Sequence, residues 1–220
     1  MQNVRLHFSK LFDARYISHL DVQRCFSRAL KKSGLDVWYT EGFNTHIYLT
    51  FALPLSLGVE SICDTADIRL VNDDFDSSLV DAINPNLPYG LEVFNADIAH
   101  RKTNEIAWAR YLVEMCDATI SSEALCAAAT AVFSQEEILT EKRAKRTGVQ
   151  TINIKPLIGG WSAGSSGGMC RLELLLAAGS ERSLNPATAL APVVDKLGFY
   201  PEHCLVKRVQ ILTRDMYNFE

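Results

Sequence analysis

The fold is decided by Val4-Arg5-Leu6-His7-Phe8-Ser9 and by the stretch that follows it, from Ser18-His19-Leu20-Asp21 to Gly34. In the first stretch apolar and polar side chains alternate, which predicts a β-strand with one covered face. In the second, Ser18 and Asp21 predict a helix N-terminus, because a serine oxygen can accept from a first-turn amide and the helix dipole favours an acid there. Gly34 predicts the end of this helix. The pattern is therefore a strand followed by a helix.

Similar patterns continue through the first half of the chain. Strands are predicted at Val37–Tyr39, at Ala66–Leu70 and at Leu91–Phe94. A short helix, capped by Asn72 or Asp73, is predicted to carry Phe75, Leu79, Val80 and Ile83 and to end at Asn84-Pro85. The punctuated apolar stretch Thr40–Ser61 connects the second and third of these strands, and within it Ile47–Phe51 is predicted to be strand. The order is βαββαβ.

The same order begins again near Ala107. Strands are predicted at Tyr111–Met115, Ile138-Leu139 with Thr151–Ile154, Met169–Ala177 and Val206–Leu212. One helix is capped by Ser121 or Ser122, and another begins at Asn185-Pro186 and ends at Gly198. A mobile Gly/Ser-rich loop is expected at Pro156–Gly168. The predicted fold is α+β, with two tandem ferredoxin-like βαββαβ units that have antiparallel sheets, at residues 1–103 and 104–220.

The composition narrows the class of protein. A formal net charge of -4 over 220 residues argues against binding nucleic acid by bulk charge, so any such partner needs a local basic patch. The six cysteines form no C-x-x-C pair and no cluster with histidines at metal-ligand spacing, so neither a metal site nor an iron–sulfur cradle is expected in this chain. Because no signal-peptide pattern or long apolar run occurs, we expect a cytoplasmic protein with reduced thiols.

Two groups of basic residues stand out from this acidic background. The predicted first helix carries Arg24, Arg28, Lys31 and Lys32 opposite its apolar stripe, and a second group consists of Lys142, Arg143, Lys145 and Arg146 on a predicted basic hairpin. A run of positive charge is often only a solvated surface. The alternative is a pair of patches that contact phosphates, and one cation can neutralise one phosphate.

The histidines offer two candidates for chemistry or binding. His19 falls in the first turn of the predicted helix, in line with its apolar face, where it is either a partly buried histidine or a proton-transfer residue. His46 follows Gly42-Phe43-Asn44 in a loop, where Asn44 and His46 could contact a phosphate or a base. The sequence contains no nucleophile elbow, Walker-type loop, dinucleotide fingerprint or H-E-x-x-H motif.

Several motifs together resemble a bacterial family known as radical-SAM-linked or DUF2344. The resemblance rests on Tyr16–Asp21, Arg24, Arg28–Leu30, Gly42-Phe43-Asn44 with His46, and Ala52–Ser61, and it extends more weakly through Lys142-Arg143 and Ile152–Pro156. The motif positions singled out are Ser18, His19, Asp21, Gly42, Phe43, Gly58, Glu60 and Ser61. Thr45 stands where the family usually has a proline, and Ile47-Tyr48 replaces a Pro-Lys-like continuation.

The resemblance implies an uncharacterised accessory protein of a radical SAM enzyme. Members are often encoded beside RNA-processing and ribosomal genes, which implies a role in presenting structured RNA to that enzyme. The iron–sulfur cluster and S-adenosylmethionine would belong to the partner, because this chain lacks a clustered cysteine triad. Two alternatives stay open. One is a metal-independent endoribonuclease that uses His19 or His46 as a general base. The endoribonucleases that cleave CRISPR repeats resemble the predicted fold in architecture only, since they also pair two ferredoxin-like units. The other is an adaptor whose open sheet face docks the partner without RNA.

Overall fold

A computed structural model describes residues 1–72, 78–144 and 148–219. For residues 142–144, 148 and 149 it describes the backbone but not the side chains. Two compact units are present, one formed by Met1–Glu105 together with Phe219 and the other by Ile106–Asn218. Both are mixed α+β, and the strand pairings within each are antiparallel. None of the helices in the described ranges is long and apolar enough to cross a membrane.

The first unit contains four strands and two α-helices in its described part. Their bounds are β1 Gln2–Lys10, α1 His19–Lys32, β2 Leu49–Phe51, β3 Val59–Leu70, α2 Ser78–Ile83 and β4 Leu91–Ile98. β1 lies between β4 and β3, and β2 pairs with the outer side of β3. The α2 positions predicted at Asp73 and Phe75 lie outside the described residues, whereas Leu79 and Ile83 are buried on α2 as expected.

The core of this unit follows from the two-residue period of its strands and the 3.6-residue period of its helices. Val4, Leu6 and Phe8 alternate with polar residues on β1 and are all buried. α1 adds a buried stripe of Val22, Phe26, Ala29 and Leu30. The predicted cap of α1 is confirmed, because the Ser18 side chain accepts a hydrogen bond from the Asp21 amide. These apolar faces pack α1 against β1, where the Phe8 and Phe26 rings meet edge to face with centroids 4.8 Å apart.

The Thr40–Ser61 stretch differs in part from its predicted form. Strand β2 covers only Leu49–Phe51, and Val37 and Tyr39 form isolated bridges to Leu70 and Ile47 rather than a continuous strand. The second strand of the unit is therefore β2, and residues 40–46 form a loop between two bridged segments. Packing holds these segments, since the Arg69 guanidinium lies 4.8 Å from the Trp38 ring and 4.7 Å from the Tyr48 ring.

The second unit has a corresponding order of elements with an added hairpin. Its elements are β5 Ile106–Cys116, α3 Ser122–Phe133, β6 Leu139–Ala144, β7 Gly148–Asn153, β8 Ile158–Ser166, β9 Met169–Ala177, α4 Pro186–Leu197 and β10 His203–Thr213. The strand order is β10-β5-β9-β8, while β6 pairs only with β7. Ser121 and Asn185 cap α3 and α4, and Gly198 ends α4 in the left-handed conformation, as predicted.

The expectation of a mobile loop at Pro156–Gly168 is wrong, because most of it is strand β8. β8 pairs along β9, whose Leu172, Leu174 and Leu176 are buried, so ladder hydrogen bonds and packing outweigh the glycine content. A Cβ on Gly159 would lie 2.8 Å from the Trp108 ring. A glycine is needed at this position because the ring lies so close to the backbone. Gly167 and Gly168, with φ of 61° and 74°, form the two-residue turn into β9.

Candidate functional site

The most unusual surface feature of the first unit is the segment Leu11–Ile17, which we call the Phe12 segment. It contains a 3-10 helix, Phe12–Tyr16, between β1 and α1. The side chains of Phe12 and Tyr16 are 55% and 60% exposed, so this segment turns aromatic surface to solvent. Phe12 has φ of 55°, a left-handed conformation that costs a bulky residue about 1–2 kcal/mol. Other contacts must hold it there.

Lys10 supplies the first of these contacts. Its side chain is only 2% exposed, and its Nζ donates to the backbone oxygens of Arg15 at 3.2 Å and Ile17 at 2.9 Å. A buried ammonium is costly unless it is hydrogen-bonded, so these two acceptors bind the segment to the end of β1. The buried Lys10 side chain therefore supports the C-terminal half of the segment through two hydrogen bonds to its backbone.

The start of β3 supplies two further contacts, both from positions of the family motif. The buried Glu60 carboxylate accepts from the Phe12 amide at 3.0 Å between Oε1 and N. The Gly58 amide donates to the Arg15 oxygen at 2.8 Å. A charged acceptor makes a stronger hydrogen bond than a neutral one, so Glu60 is well suited to hold the strained Phe12 backbone.

Gly90 closes the segment from the side of β4. Its oxygen accepts from the Leu11 amide at 2.8 Å. A Cβ at this position would lie 2.4 Å from the Leu11 oxygen and 2.9 Å from the Ala14 Cβ, and the φ of Gly90 is 85°. Only glycine fits both the conformation and the close approach. The Phe12 segment is therefore fixed from β1, β3 and the residue before β4.

An open cavity lies beside the segment. The Phe12 and Tyr89 rings stack with centroids 5.5 Å apart and an angle of 14° between their planes. Both rings line a cavity of about 330 Å³, together with Ser9, Asn84 and Glu92. The Asn84 side chain fixes one wall, because it accepts from the Val93 amide and donates to the Val93 oxygen. This volume lies at the lower end of the range for small-molecule sites.

His19 lines a separate and much smaller cavity of about 10 Å³ that also touches Lys10 and Asp64. Burial lowers the pKa of the His19 imidazole; the Asp64 carboxylate opposes this shift, and Lys10 adds to it. Ser61 donates to Asp64 at 2.6 Å, and the Phe51 ring meets His19 edge-on with centroids 5.2 Å apart. The structure thus brings the motif residues His19 and Ser61 to one polar cluster, which has room for about one water molecule.

The predicted basic residues of α1 lie on its exposed side. Arg28 and Lys31 are exposed, and so is Arg24, which pairs with Asp21 at 2.8 Å. Asp21 also accepts from the Ser18 hydroxyl, and the pKa of its carboxyl is lowered chiefly by that bond and then by Arg24. Arg24 is therefore partly committed to the helix start, whereas Arg28 and Lys31 make no side-chain hydrogen bond or ion pair with the described residues.

The predicted loop residues form their own small structure. The His46 ring Nδ1 lies 2.9 Å from the Asn44 oxygen and 3.1 Å from Thr40 Oγ1, and the His46 amide donates to the same Thr40 oxygen. Gly42 has φ of 117°, and the side chain of Phe43 is fully exposed at the tip. The hydrogen bonds of His46 stay within the loop, and the structure does not bring this residue to the cluster around His19.

The second predicted basic group is described only in part. Lys142 and Arg143 lie on β6, paired with Gln150 and Val149 of β7, but their side chains are outside the described atoms. Lys145 and Arg146 lie outside the described residues. Within the described ranges, no group of three or more His, Cys, Asp or Glu residues could hold a metal ion.

The sequence patterns did not point to Phe12, Tyr89 or Lys10 as site residues. Phe12 and Tyr89 lie far apart in the chain, in stretches without regular periodicity, and Lys10 ends a strand whose polar residues were expected to face away from the core. The available signal was the motif itself: Gly58 and Glu60 contact the Phe12 segment directly.

Comparison with solved structures gives a likeness of fold. A chain of a crystal structure of a Cbf5-Nop10-Gar1 complex is similar with a TM-score of 0.51 and 9% identity, over 94% of this chain and 48% of that chain. This protein thus spans about half the length of that one, and at such identity the likeness concerns the α+β fold alone. A crystal structure of an unknown protein from Galdieria sulphuraria gives a TM-score of 0.28 and 17% identity, over 94% of this chain and 96% of that chain.

Comparison with protein families gives a firmer result. None of the curated proteins matches the chain. The sequence model of one family, described as "Uncharacterized protein conserved in bacteria (DUF2344)", matches residues 3–186 and so covers most of the chain. The DUF2344 family predicted from the motifs is confirmed. This protein belongs to the DUF2344 family of bacterial proteins.

Proposed function

We propose that this protein is a cytoplasmic RNA-binding accessory protein that works with a radical SAM enzyme. The observation that carries the RNA-binding part is the exposed aromatic surface of the Phe12 segment directly before the basic side of α1. Single-stranded nucleic acid is bound by aromatic rings that stack on bases, combined with cations that follow the phosphates. The first unit offers both within one short stretch of chain.

The spacing within this stretch suits a few nucleotides. Two residues separate the 3-10 helix from α1, so the Cα atoms of Tyr16 and Arg24 are at most about 18 Å apart. The Arg15 guanidinium also lies over the Tyr16 ring at 4.8 Å, which adds a cation to the aromatic surface. Arg28 and Lys31 continue the positive charge along α1. In this proposal they contact phosphates, while Phe12 and Tyr16 meet unstacked bases of a structured RNA.

The remaining predicted contacts are part of the same proposal. Asn44 and His46 would touch the RNA from their loop, and Lys142, Arg143, Lys145 and Arg146 would contact phosphates from the second unit. The radical SAM partner is proposed from the motif resemblance alone. That enzyme would supply the iron–sulfur cluster and S-adenosylmethionine, and this chain would hold the RNA substrate.

We also infer that each unit is ferredoxin-like, so that the chain is a tandem pair of βαββαβ units. The support is the strand order, since in each unit the first and third strands are adjacent, the fourth lies beside the first, and the second lies beside the third. In this interpretation β6 and β7 are a hairpin added between α3 and β8. An antiparallel sheet with helices on one face leaves the other face available to a partner.

The test is RNA binding as a function of salt. A fluorescent RNA hairpin with a single-stranded loop is titrated with wild-type protein and with the double variant Arg28→Glu/Lys31→Glu. We expect binding that weakens with salt, with a slope of about -0.7 per phosphate contact on single strands, and a smaller slope in the double variant. Both residues are exposed, so the fold should be unaffected.

The control is Arg182→Glu, a single charge reversal at an exposed arginine of the second unit, and its counterpart on α1 is the single variant Arg28→Glu. We expect Arg182→Glu to bind RNA nearly as wild type does. The RNA-binding proposal is wrong if wild type shows no affinity tighter than about 10⁻⁴ M at low salt. If the control weakens binding as much as Arg28→Glu does, the α1 surface is not the contact.

A metal-independent ribonuclease is the second candidate, and one observation favours it. Burial lowers the pKa of His19, which keeps the imidazole neutral at neutral pH, as a general base requires. The cavity beside it holds about one water, so a nucleotide could enter only if part of the cavity lining moved. His19→Ala and His46→Ala are incubated with cellular RNA beside wild type. The ribonuclease proposal is supported if wild type cleaves RNA and either variant does not. It is refuted if both variants cleave RNA as well as wild type does.

A further inference from the structure

The cavity beside the Phe12 segment has open polar groups as well as aromatic walls. Ser9 lines it, and this residue is only 8% exposed. Its hydroxyl makes no hydrogen bond with any side chain or backbone group in the described part of the chain. This hydroxyl is not one of the fully buried polar atoms that lack a partner, so it is accessible from the cavity and can bond to water or to a ligand there.

Glu92 supplies the second open group. It stands directly opposite Ser9 in the pairing of β1 with β4, so the two side chains are neighbours on one face of the ladder. Glu92 is an exposed residue that also lines the cavity, and its carboxylate forms no ion pair or hydrogen bond with the described residues. One wall therefore presents a pure acceptor, the carboxylate, next to a hydroxyl that can donate.

The lining of the cavity also includes an aromatic pair. Tyr89 is 78% exposed, and its ring is parallel to that of Phe12, so the open ring faces offer a stacking surface for a flat ligand. The strained backbone of Phe12 is held by Glu60 in the position that creates this surface. Strained residues that the surroundings hold firmly are concentrated at ligand sites.

We propose that this cavity binds a guanine base. The Watson–Crick edge of guanine carries two adjacent N–H donors, which match the Glu92 carboxylate, and beside them the O6 acceptor, which matches the Ser9 hydroxyl. Adenine places a ring-nitrogen acceptor where the carboxylate needs a donor, so it is disfavoured. A volume of about 330 Å³ accommodates a base with its ribose. This inference rests on the proposed function for its source, a guanine in RNA, but a free guanine nucleotide has the same chemistry.

The experiment separates the two sources and the two proposals. Full-length protein is titrated with GMP and AMP, and with two RNA hairpins that differ only by G or A at one loop position. We expect guanine to bind roughly tenfold or more tightly than adenine, the discrimination typical of one bidentate pair. Glu92→Gln should bring this ratio close to one, and Tyr89→Ala should weaken binding of the preferred ligand about 5- to 100-fold.

Glu136→Gln, the same change at an exposed glutamate of the second unit, is the control and should keep the preference. Tyr89 is exposed, so its replacement should leave the fold intact, which circular dichroism verifies. Salt-sensitive RNA binding with no preference for guanine would overturn this inference and leave the proposed function standing. GMP binding without RNA binding would support the cavity and overturn the proposed function. A guanine preference that survives in Glu92→Gln would place the readout elsewhere and refute the assignment.

Discussion

The Glu60 carboxylate, buried at the start of β3, accepts a hydrogen bond from the backbone amide of Phe12, with 3.0 Å between Oε1 and N. The two residues are 48 positions apart in the chain. One is a position of the family motif, and the other is an exposed aromatic residue in a left-handed conformation. Glu60 is therefore best understood as a residue that positions the Phe12 segment, since its carboxylate is buried beneath that segment.

Glu60→Ala should destabilise the first unit, because the Phe12 amide loses a charged acceptor in a strained segment. We expect a loss of about 1–3 kcal/mol in the free energy of unfolding, measured by urea denaturation. Glu60→Gln keeps an oxygen acceptor of the same shape and should lose less. Equal losses in the two variants would show that the hydrogen bond to Phe12 is not the contact that matters.

Gly90→Ala should be among the most damaging single-methyl changes in the first unit. The new Cβ would lie 2.4 Å from the Leu11 oxygen, in addition to the cost of φ at 85°. We expect a destabilisation of about 2–4 kcal/mol from overpacking and backbone strain together. The matched control is Gly34→Ala, where φ is 76° and no atom lies within 4 Å of the Cβ. It should cost only about 1–2 kcal/mol in the same urea experiment.

The stability of the protein should depend on pH through His19. Burial lowers the pKa of its imidazole in the folded state below the ordinary value of 6.5, so the unfolded chain takes up this proton more readily. The contribution is present above pH 6.5 and is lost as pH falls from there toward the folded-state pKa. Urea unfolding at about pH 7.5 and about pH 5.5 should therefore give a smaller pH effect in His19→Gln than in wild type. An identical pH effect in both proteins would contradict this.

Cys170 should react with thiol reagents only when the protein unfolds. Burial raises the pKa of its thiol, and Cys126, with its Sγ 2.7 Å away, acts in the same direction. The thiolate is the reactive form, so both the raised pKa and the burial slow alkylation. Pulses of iodoacetamide, read by peptide mass spectrometry with and without urea, measure this protection. Cys63 is partly exposed and serves as the internal reference. Labelling of Cys170 at the rate of Cys63 in folded protein would refute the prediction.

The local elements of the fold were predictable because their causes are local. Ser18, Ser121 and Asn185 cap their helices through amides two or three residues away, so the short-range pattern was enough to find them. The prediction of a loop at Pro156–Gly168 was wrong because the cause of the strand there is not local. Its glycines and serines carry no strand signal, and β8 exists because it pairs with β9 and packs beside Trp108.

The candidate site was predictable only in part. The motif includes Gly58, Glu60 and His46, but it did not predict which of these residues share contacts. In the structure the contacts of Gly58 and Glu60 converge on the Phe12 segment, while His46 bonds within its own loop. No short-range pattern reports that a carboxylate on β3 will meet an amide after β1, because that contact exists only once the two strands are paired.

The sequence by itself determined the family, the α+β class and the places where most helices and strands begin, since periodicity, caps and motifs act over a few residues. Only the tertiary structure decided which surface those elements produce. Lys10, Glu60 and Gly90 hold the Phe12 segment through contacts that form when β1, β3 and β4 pair. The same pairing sets Ser9 opposite Glu92 and builds the cavity, because hydrogen bonds and close packing between distant residues depend on the register of the strands.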